Sequence, residues 1–467
     1  MEAALQTTID NSQDSAQTKT LIVGLGRTGL SVARHLAARG ERVAVVDSRP
    51  NPPGLAALNR DLPDVALFLG GFDTAAFEQA DRLVVSPGVS LDTPVIAAAI
   101  ARGAEVVGDV ELFVRAARAP LAVVTGSNGK STVTTLLGEM ARESGRKVAV
   151  GGNLGEPALD LLDDAVELYV LELSSFQLDT THSLKAAAAV VLNLSPDHMD
   201  RYADLGAYAA SKQKALANAR VGVHNVDDPR VMAMTGSVEK WCFTLGEPLA
   251  AAEDVFGCQR VFGVRQLEDG PWLCRGEQPL LAAAEVRMPG LHNRANALAA
   301  LAMGSALQLD LDAMCAVLRR FPGLPHRTQF VTERGGVRWY NDSKGTNVGA
   351  CIAALEGLAK DDHSRTVLIA GGDCKGAAFE ELVPAIVAHA RAVVLIGRDA
   401  QDIARVIAGK VLVHHASDMA DAVRQAAELS RFGDRVLLSP ACASFDMFRD
   451  YMHRGEVFMD AVRGLAE

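Results

Sequence analysis

The chain has 467 residues, 49% apolar and 22% charged, a globular balance with length for about three domains at ~150 residues each. Its 46 basic and 57 acidic residues leave a net charge of −11, which argues against a dedicated nucleic-acid binder. No run of 18 apolar residues occurs, and the first 18 residues are polar without an apolar core of signal-peptide length, so neither a membrane span nor a secretory leader is expected.

Residues 1–18 read as a flexible tail. Thr20–Gly24 and Arg42–Asp47 read as buried strands around a helix Thr28–Arg39 that Gly40 ends, and Val65–Leu69, Leu83–Val85 and Glu105–Val107 continue a parallel α/β unit. Between the first strand and helix stands Gly24-Leu25-Gly26-Arg27-Thr28-Gly29, with Asp47 closing the next strand. Glycines there let the backbone approach a diphosphate, and an acid at that strand end can bind a ribose hydroxyl. Asp47-Ser48-Arg49 offers an acceptor and a cation together, which suits NADP or another nucleotide equally.

A second α/β series begins near Pro120, with strands at Leu121–Val124, Lys147–Val150, Leu168–Leu173, Ala188–Leu194 and Val221–Val223. Its first strand runs into Gly126-Ser127-Asn128-Gly129-Lys130-Ser131-Thr132 and then a helix with apolar Val133, Leu136, Leu137 and Met140 on one face. Backbone amides and a helix N-terminus then converge on an anion, Lys130 reaches outer phosphates, and Ser131 or Thr132 meets the accompanying magnesium. The full P-loop spacing is not met, because Val124 occupies the first glycine position.

Other polar residues close strands of the same series. Glu172 ends a buried strand, where a carboxylate is costly to desolvate unless it meets a cation. Ser195-Pro196-Asp197-His198-Met199-Asp200 sets an imidazole and two carboxylates at another strand end, and Asn153 follows Val150-Gly151-Gly152. Residues 235–290 break into short β-like pieces such as Arg260–Val264, before a helix from His292 to Leu307.

After the link Phe321-Pro322-Gly323-Leu324-Pro325, a third series places strands at Val337–Tyr340, Thr366–Ile369, Ala392–Ile396, Val411–His414 and Arg435–Leu438. Polar loops follow three of them: Asn341–Thr346, Gly371–Gly376 and Ser439–Asp446. Loops at strand ends of two α/β domains suggest a ligand cleft between those domains. The seven cysteines, at 242, 258, 274, 315, 351, 374 and 442, show no C-x-x-C pair and are expected as reduced thiols in a cytoplasmic protein.

The expected fold is α/β with three domains: a Rossmann-like parallel sheet over 19–110, a P-loop ATPase-type domain over 111–323, and a Rossmann-like C-terminal domain over 324–467. Taken in order, Thr125–Thr135, Tyr169–Gln177, Asp197–Tyr202, His292–Leu301, Gly323–Arg327, Asn341–Val348 and Leu437–Ser444 resemble the Mur ligases, ATP-dependent amide-forming enzymes of peptidoglycan assembly. The resemblance runs from about Thr20 to the C-terminus.

The resemblance implies an enzyme joining D-glutamate to UDP-N-acetylmuramoyl-L-alanine through an acyl phosphate. It implies that Gly26, Arg27, Thr28, Asp47, Ser48, Arg49, Gly88, Asn153 and Ser174 bind the UDP substrate. Gly126, Ser127, Asn128, Gly129, Lys130, Ser131 and Thr132 would hold ATP phosphates, and Asn296, Arg327 and Asp342 the rest of the nucleotide. Two magnesium ions are implied, one on Ser131 and Glu172, a second on His198 and a carbamylated Lys212, since a carbamate offers the oxygen that a hard metal prefers. Thr346, Lys375, Ser444, Phe445 (by its amide) and Tyr451 would meet D-glutamate, and Lys344 would join Lys130, His198 and Lys212 at the reacting phosphate. Tyr451 stands where the family carries Phe, and Arg27 and Gly345 also depart from the family pattern. Without the resemblance, Lys212 reads as a solvent lysine on a helix Ala207–Ala219.

A monomer without nucleic-acid partners is expected. Three rivals stay open on the sequence: an NADP-dependent reductase built on Gly24–Gly29, a nucleotide switch or motor, and a related ligase for another amino acid, such as a folylpolyglutamate-type enzyme. The Asp-Asn-Pro-Arg signature of the diaminopimelate-adding sibling is absent from the last domain; Asp227-Asp228-Pro229-Arg230 lies in the central one.

Overall fold

The structure, a computed structural model, describes residues 18–248, 257–359, 364–374, 376 and 378–465. Its contacts divide the chain into two compact units. Of the described residues, one unit holds those up to Arg118 with Gly151–Asp163 and Phe176–Leu184; the other holds Ala119–Val150, Asp164–Ser175 and those from Lys185 onward.

The first unit is built on strands β1 (Thr20–Val23), β2 (Val43–Asp47), β3 (Ala66–Leu69), β4 (Arg82–Val85) and β5 (Glu105–Val107), all parallel in the order β3-β2-β1-β4-β5. Val23, Val46, Leu83 and Val85 bury one face of this sheet against Phe77, Ile96 and Ala99. The strand order reverses beside β1, so the turn after β1 opens at a switch point where α/β sheets bind ligands. That turn needs its glycines. Gly24 sits at φ +95°, and a Cβ on Gly29 would stand 1.9 Å from the Gly24 carbonyl oxygen, so only glycine lets the helix Arg27–Ala38 start that close to the strand.

The second unit contains two sheets. The larger takes β6 (Leu121–Thr125), β7 (Val148–Gly152), β8 (Leu168–Glu172), β9 (Ala188–Val191), β10 (Val221–Asn225), β11 (Glu239–Phe243), β12 (Arg260–Leu267), β13 (Gly270–Arg275) and β14 (Gln278–Ala282), in the order β14-β13-β12-β11-β10-β9-β6-β8-β7. Pairing is parallel from β8 through β6, β9, β10 and β11 to β12, and the β12-β13-β14 end is antiparallel. The helix Lys130–Glu143 turns Val133, Leu136, Leu137 and Met140 into this core, as their spacing predicts, beside the almost wholly buried helix Leu291–Ala306.

The smaller sheet takes β15 (Gln329–Arg334), β16 (Val337–Asn341), β17 (Thr366–Gly371), β18 (Ala390–Ile396), β19 (Leu412–His415) and β20 (Arg435–Leu438), ordered β15-β16-β20-β17-β18-β19. It is parallel except for the β15–β16 edge hairpin and carries an apolar core on each face. Among the described residues no helix is long and apolar enough to cross a membrane.

Two expectations need correction. Four of the cysteines, read as separate thiols, are paired: Cys242 with Cys258 and Cys374 with Cys442, at Cα–Cα distances of 5.9 and 4.6 Å. The pairing follows from neighbouring strands and loops, such as the Asp373–Ala443 bridge beside the second pair, and spacing along the chain does not announce it. The helix carrying Lys212 is shorter than its pattern suggests, Leu205–Gln213, and Lys212 is not a solvent residue: it is 1% exposed.

Candidate active site

The phosphate-loop sequence folds as its glycines require. Gly126 and Gly129 lie at φ +145° and +84°, and a Cβ on Gly129 would press within 2.5 Å of Asn296 Oδ1. The loop is clamped from the strand end after β9: Asn193 accepts from the Asn128 amide (2.8 Å) and donates to the Asn128 carbonyl (3.1 Å), while the Ser127 hydroxyl donates to the Ser195 carbonyl (3.0 Å).

Two ammonium groups converge on this loop. Lys130 Nζ donates to the carbonyls of Gly126 and Ser127, both at 2.8 Å, and Lys212 Nζ donates to the same Gly126 carbonyl at 2.9 Å. Burial lowers the Lys130 pKa, and nearby Glu172 opposes that shift. Lys212 also lies over the Tyr208 ring, 4.5 Å from its centroid.

Glu172 ends β8 at 3% exposure, in the field of Lys130 and of Lys344. Ser131, in the first turn of its helix, accepts from Arg327 Nη2 at 2.8 Å. His198 adopts φ +59° in the loop after β9, and burial lowers its pKa against the opposing charge of Asp197, 3.8 Å away.

Across the loop a cavity of 280 Å³ is lined by Asn128, Gly129, Thr132, Asn296, Arg327, Asp342 and Lys344. The structure therefore gathers seven of the residues expected around a nucleotide into one wall. Asp342 accepts from the Thr328 amide (3.0 Å) and the Ser439 hydroxyl (2.7 Å), and burial pushes its pKa up to about 6. Lys344 sits 3.9 Å from the Tyr451 ring centroid, and burial, with Arg327 adding repulsion, lowers its pKa to about 8.

The same cavity carries residues that sequence reasoning missed: Asn193, Asn225, Phe243, His292, Asn293 and Thr328. His292 is held neutral, its pKa lowered to about 4 by burial, between the Ala353 carbonyl (3.2 Å) and Thr328 Oγ1 (3.4 Å). Asn293 and His292, three and four residues before Asn296 on one helix face, had a signal to be found by.

Of the residues expected at an amino-acid site, Thr346, Ser444 and Phe445 lie on loops after β16 and β20, outside the lining of that cavity. Ser444 is buried and Phe445 is 68% exposed. A buried guanidinium joins the two loops: Arg454 donates to Ser343 Oγ (3.0 Å), the Ser343 carbonyl (2.8 Å) and the carbonyls of Cys442 (3.1 Å) and Ala443 (3.2 Å). Lys375 lies outside the described residues.

In the first unit, Gly26, Arg27, Thr28, Asp47, Ser48, Arg49 and Gly88 cluster at the C-terminal ends of β1, β2 and β4, and Asn153 belongs to the same unit. Ser174 belongs to the second unit. Asp47 is 2% exposed and accepts from the Leu25 amide (2.7 Å) and from Arg49 N, Nε and Nη2 (2.9, 2.9 and 2.7 Å); Arg49 chiefly holds its pKa near 2. The group left facing solvent there is the Arg49 guanidinium, its side chain 52% exposed.

Three largely parallel sheets, with a glycine loop and paired lysines at a helix N-terminus, define a phosphate-loop α/β protein. Its three segments match the models described as Mur ligase MurD-like, N-terminal domain (residues 18–108), Mur ligase middle domain (124–304) and Mur ligase, glutamate ligase domain (326–442). The UDP-N-acetylmuramoylalanine–D-glutamate ligase of Nitrosococcus oceani is 52% identical over 454 residues, 97% of this chain and 98% of that one. The Marinobacter nauticus protein of the same name is 51% identical over 96% of this chain and 98% of its own. The UDP-N-acetylmuramate-alanine ligase structure from Thermotoga maritima shares the fold, with a TM-score of 0.56 at 16% identity over 95% of this chain and 99% of that one. The chain belongs to the Mur ligase family, which comprises ATP-dependent ligases.

Proposed function

We propose that this ligase joins D-glutamate to UDP-N-acetylmuramoyl-L-alanine in the cytoplasm, with ATP and magnesium. The observation that carries the phosphoryl-transfer half is the convergence of Lys130 and Lys212 on the Gly126 carbonyl beside buried Glu172. The substrate identity rests on the relatives' names, and the location on the intracellular supply of ATP.

In the proposed reaction the alanyl carboxylate oxygen attacks the γ-phosphorus of ATP and the bond to ADP breaks. The amine nitrogen of D-glutamate then adds to the acyl-phosphate carbonyl, loses a proton, and inorganic phosphate departs as the amide forms. A carboxylate is a poor acyl donor, and phosphorylation gives it a leaving group. Lys130, with Lys344 and Arg327, would hold the phosphate oxygens in a site of low dielectric, where fixed positive charge counts most. Asn296 and Asp342 would hold the remainder of the nucleotide. Thr346, Ser444, Phe445, Tyr451 and Lys375 would hold D-glutamate, and the Arg49 face of the first unit would take the UDP portion.

The donor set suits a hard cation. Ser131 and Glu172 offer a hydroxyl and a buried carboxylate, and no cage of three or more His, Cys, Asp or Glu occurs among the described residues. Magnesium commonly takes only one or two protein oxygens and completes its shell with phosphate and water. When bound, it neutralises charge on the phosphates. Lys212 as an amine is a donor and no ligand; a carbamate on it, beside His198, would supply the oxygen a second ion needs.

The test is Lys130→Ala. Phosphate release should fall by ~10³-fold or more while binding of the UDP substrate stays within about twofold of wild type, because the loop at Arg49 belongs to the other unit. Retained turnover would overturn the reading of the phosphate loop.

A further inference from the structure

The helix Val348–Leu358 follows the loop that carries Lys344 and Thr346, and its cap residue does more than cap. Asn347 Oδ1 accepts from the Ala350 amide at 2.8 Å, which satisfies the helix start. Its Nδ2 donates to Asn128 Oδ1 and to Asp197 Oδ2, both at 3.2 Å, and Asn128 Nδ2 reaches back to Asn347 Oδ1 at 3.4 Å. One amide thus bonds the phosphate loop and the His198 loop simultaneously, across 219 and 150 residues of sequence.

The backbone beside it is fitted to the same seat. A Cβ on Gly349 would stand 2.8 Å from Ser195 Oγ and 2.9 Å from Ser195 Cβ, so a side chain there would force the first helical turn off the Ser195 loop. Ser195 itself accepts from Asn128 Nδ2 at 3.3 Å. Asn128, Ser195 and Asp197 on one side and Asn347 and Gly349 on the other form a continuous polar contact without a charged pair. Its strength depends on amide geometry, so it discriminates position finely while contributing little that other contacts do not.

We propose that Asn347 is a positioning residue that seats the Lys344–Thr346 loop on the phosphate loop, so that the amine acceptor site and the transferred phosphoryl group share one register. The inference rests on the ligase reading above. Amide formation requires the amine to meet a carbonyl made at the other loop, and an error of about 1 Å in such placement costs ~10²-fold. Thr346 is covalently next to Asn347, so the seat acts on the proposed D-glutamate site directly.

Asn347→Ser keeps a capping oxygen but cannot span to Asn128 and Asp197; Gly349→Ala perturbs the same seat from the other side. Asn347→Ser should lower kcat by ~10²-fold and raise KM for D-glutamate, while affinity for a non-hydrolysable ATP analogue and melting temperature change little; Gly349→Ala, at a residue that also lines the nucleotide cavity, should lower kcat as well. Acyl-phosphate formation, read as ADP released in one turnover without amino acid, should fall less than amide formation. Asn347→Ser with wild-type kcat and wild-type D-glutamate KM overturns the proposal, as does loss of ATP-analogue binding in proportion to kcat. Should wild type fail to release phosphate with D-glutamate, the ligase reading fails. The seat is then read by hydrogen exchange at residues 195–200, faster in Asn347→Ser if it exists and unchanged if it does not.

Discussion

Arg454 gives the sharpest stability prediction. Its side chain is 1% exposed and donates to four oxygens on two loops, the one after β16 and the one after β20. Arg454→Leu removes those donors and leaves the Ser343 and Cys442 carbonyls to lose about 1–3 kcal/mol each. The Ala443 carbonyl loses less, because it also accepts from the Asp373 amide at 3.0 Å. Against this stands relief of a buried charge. Burial lowers the Arg454 pKa to about 10, and at ~1.4 kcal/mol per unit keeping the guanidinium charged costs about 3 kcal/mol. The difference centres on a net loss of about 1 kcal/mol, with little added by vacated volume because Leu fills nearly the same space as Arg. Arg454→Lys should lose a comparable amount, since one ammonium cannot span both loops. Chemical denaturation of both variants checks the magnitude, and the KM for D-glutamate should rise several-fold with ATP-analogue affinity unchanged. Wild-type stability in Arg454→Leu would refute the claim that this guanidinium ties the two loops together.

Lys344 should impose an alkaline limb on nucleotide affinity: with a pKa near 8 it is about 90% charged at pH 7 and about 10% at pH 9, so affinity for an ATP analogue should weaken up to ~10-fold, and Lys344→Arg should flatten the profile. Stability moves the other way. The folded pKa lies below the unfolded value of 10.5, so the lysine's contribution to stability rises with pH between about 8 and 10.5, which denaturation at three pH values will show. Lys212→Ala should lose turnover and regain part of it with millimolar formate or acetate, whose carboxylates replace a carbamate; no recovery would remove the carbamate. Gly29→Ala places a methyl 1.9 Å from the Gly24 carbonyl, so it should abolish UDP-substrate binding while ATP-analogue affinity, measured in the same preparation, persists.

Much of this was legible in the sequence because the chemistry sits at strand ends. A strand running into glycines, Lys130 and a helix with apolar residues at i, i+3, i+4 and i+7 can fold in few ways, and β6 with its helix lies where that pattern puts them. Glu172 ends its strand as read. What stayed hidden depends on contacts far apart in sequence. Lys212 looks like any helix lysine until the Gly126 carbonyl, 86 residues away, is seen beside it. Asn347 reads as a cap, and nothing local shows Asn128 opposite. The cysteine pairs follow from the adjacency of β11 to the chain entering β12 and from the Asp373–Ala443 bridge. Asp47, the acid that ends β2, was visible as a ribose acceptor, while its bonds to Leu25 and Arg49 depend on loop geometry that the sequence does not show.

The central claim is the pairing of an activated alanyl carboxylate with D-glutamate, and one assay addresses it directly: phosphate release with ATP, magnesium and UDP-N-acetylmuramoyl-L-alanine against a panel of amino acids. The account predicts release that requires all components and is fastest with D-glutamate, with L-glutamate, meso-diaminopimelate and L-lysine near background. Equal or faster release with another amino acid, or with glutamate added to a folate acceptor, would contradict it.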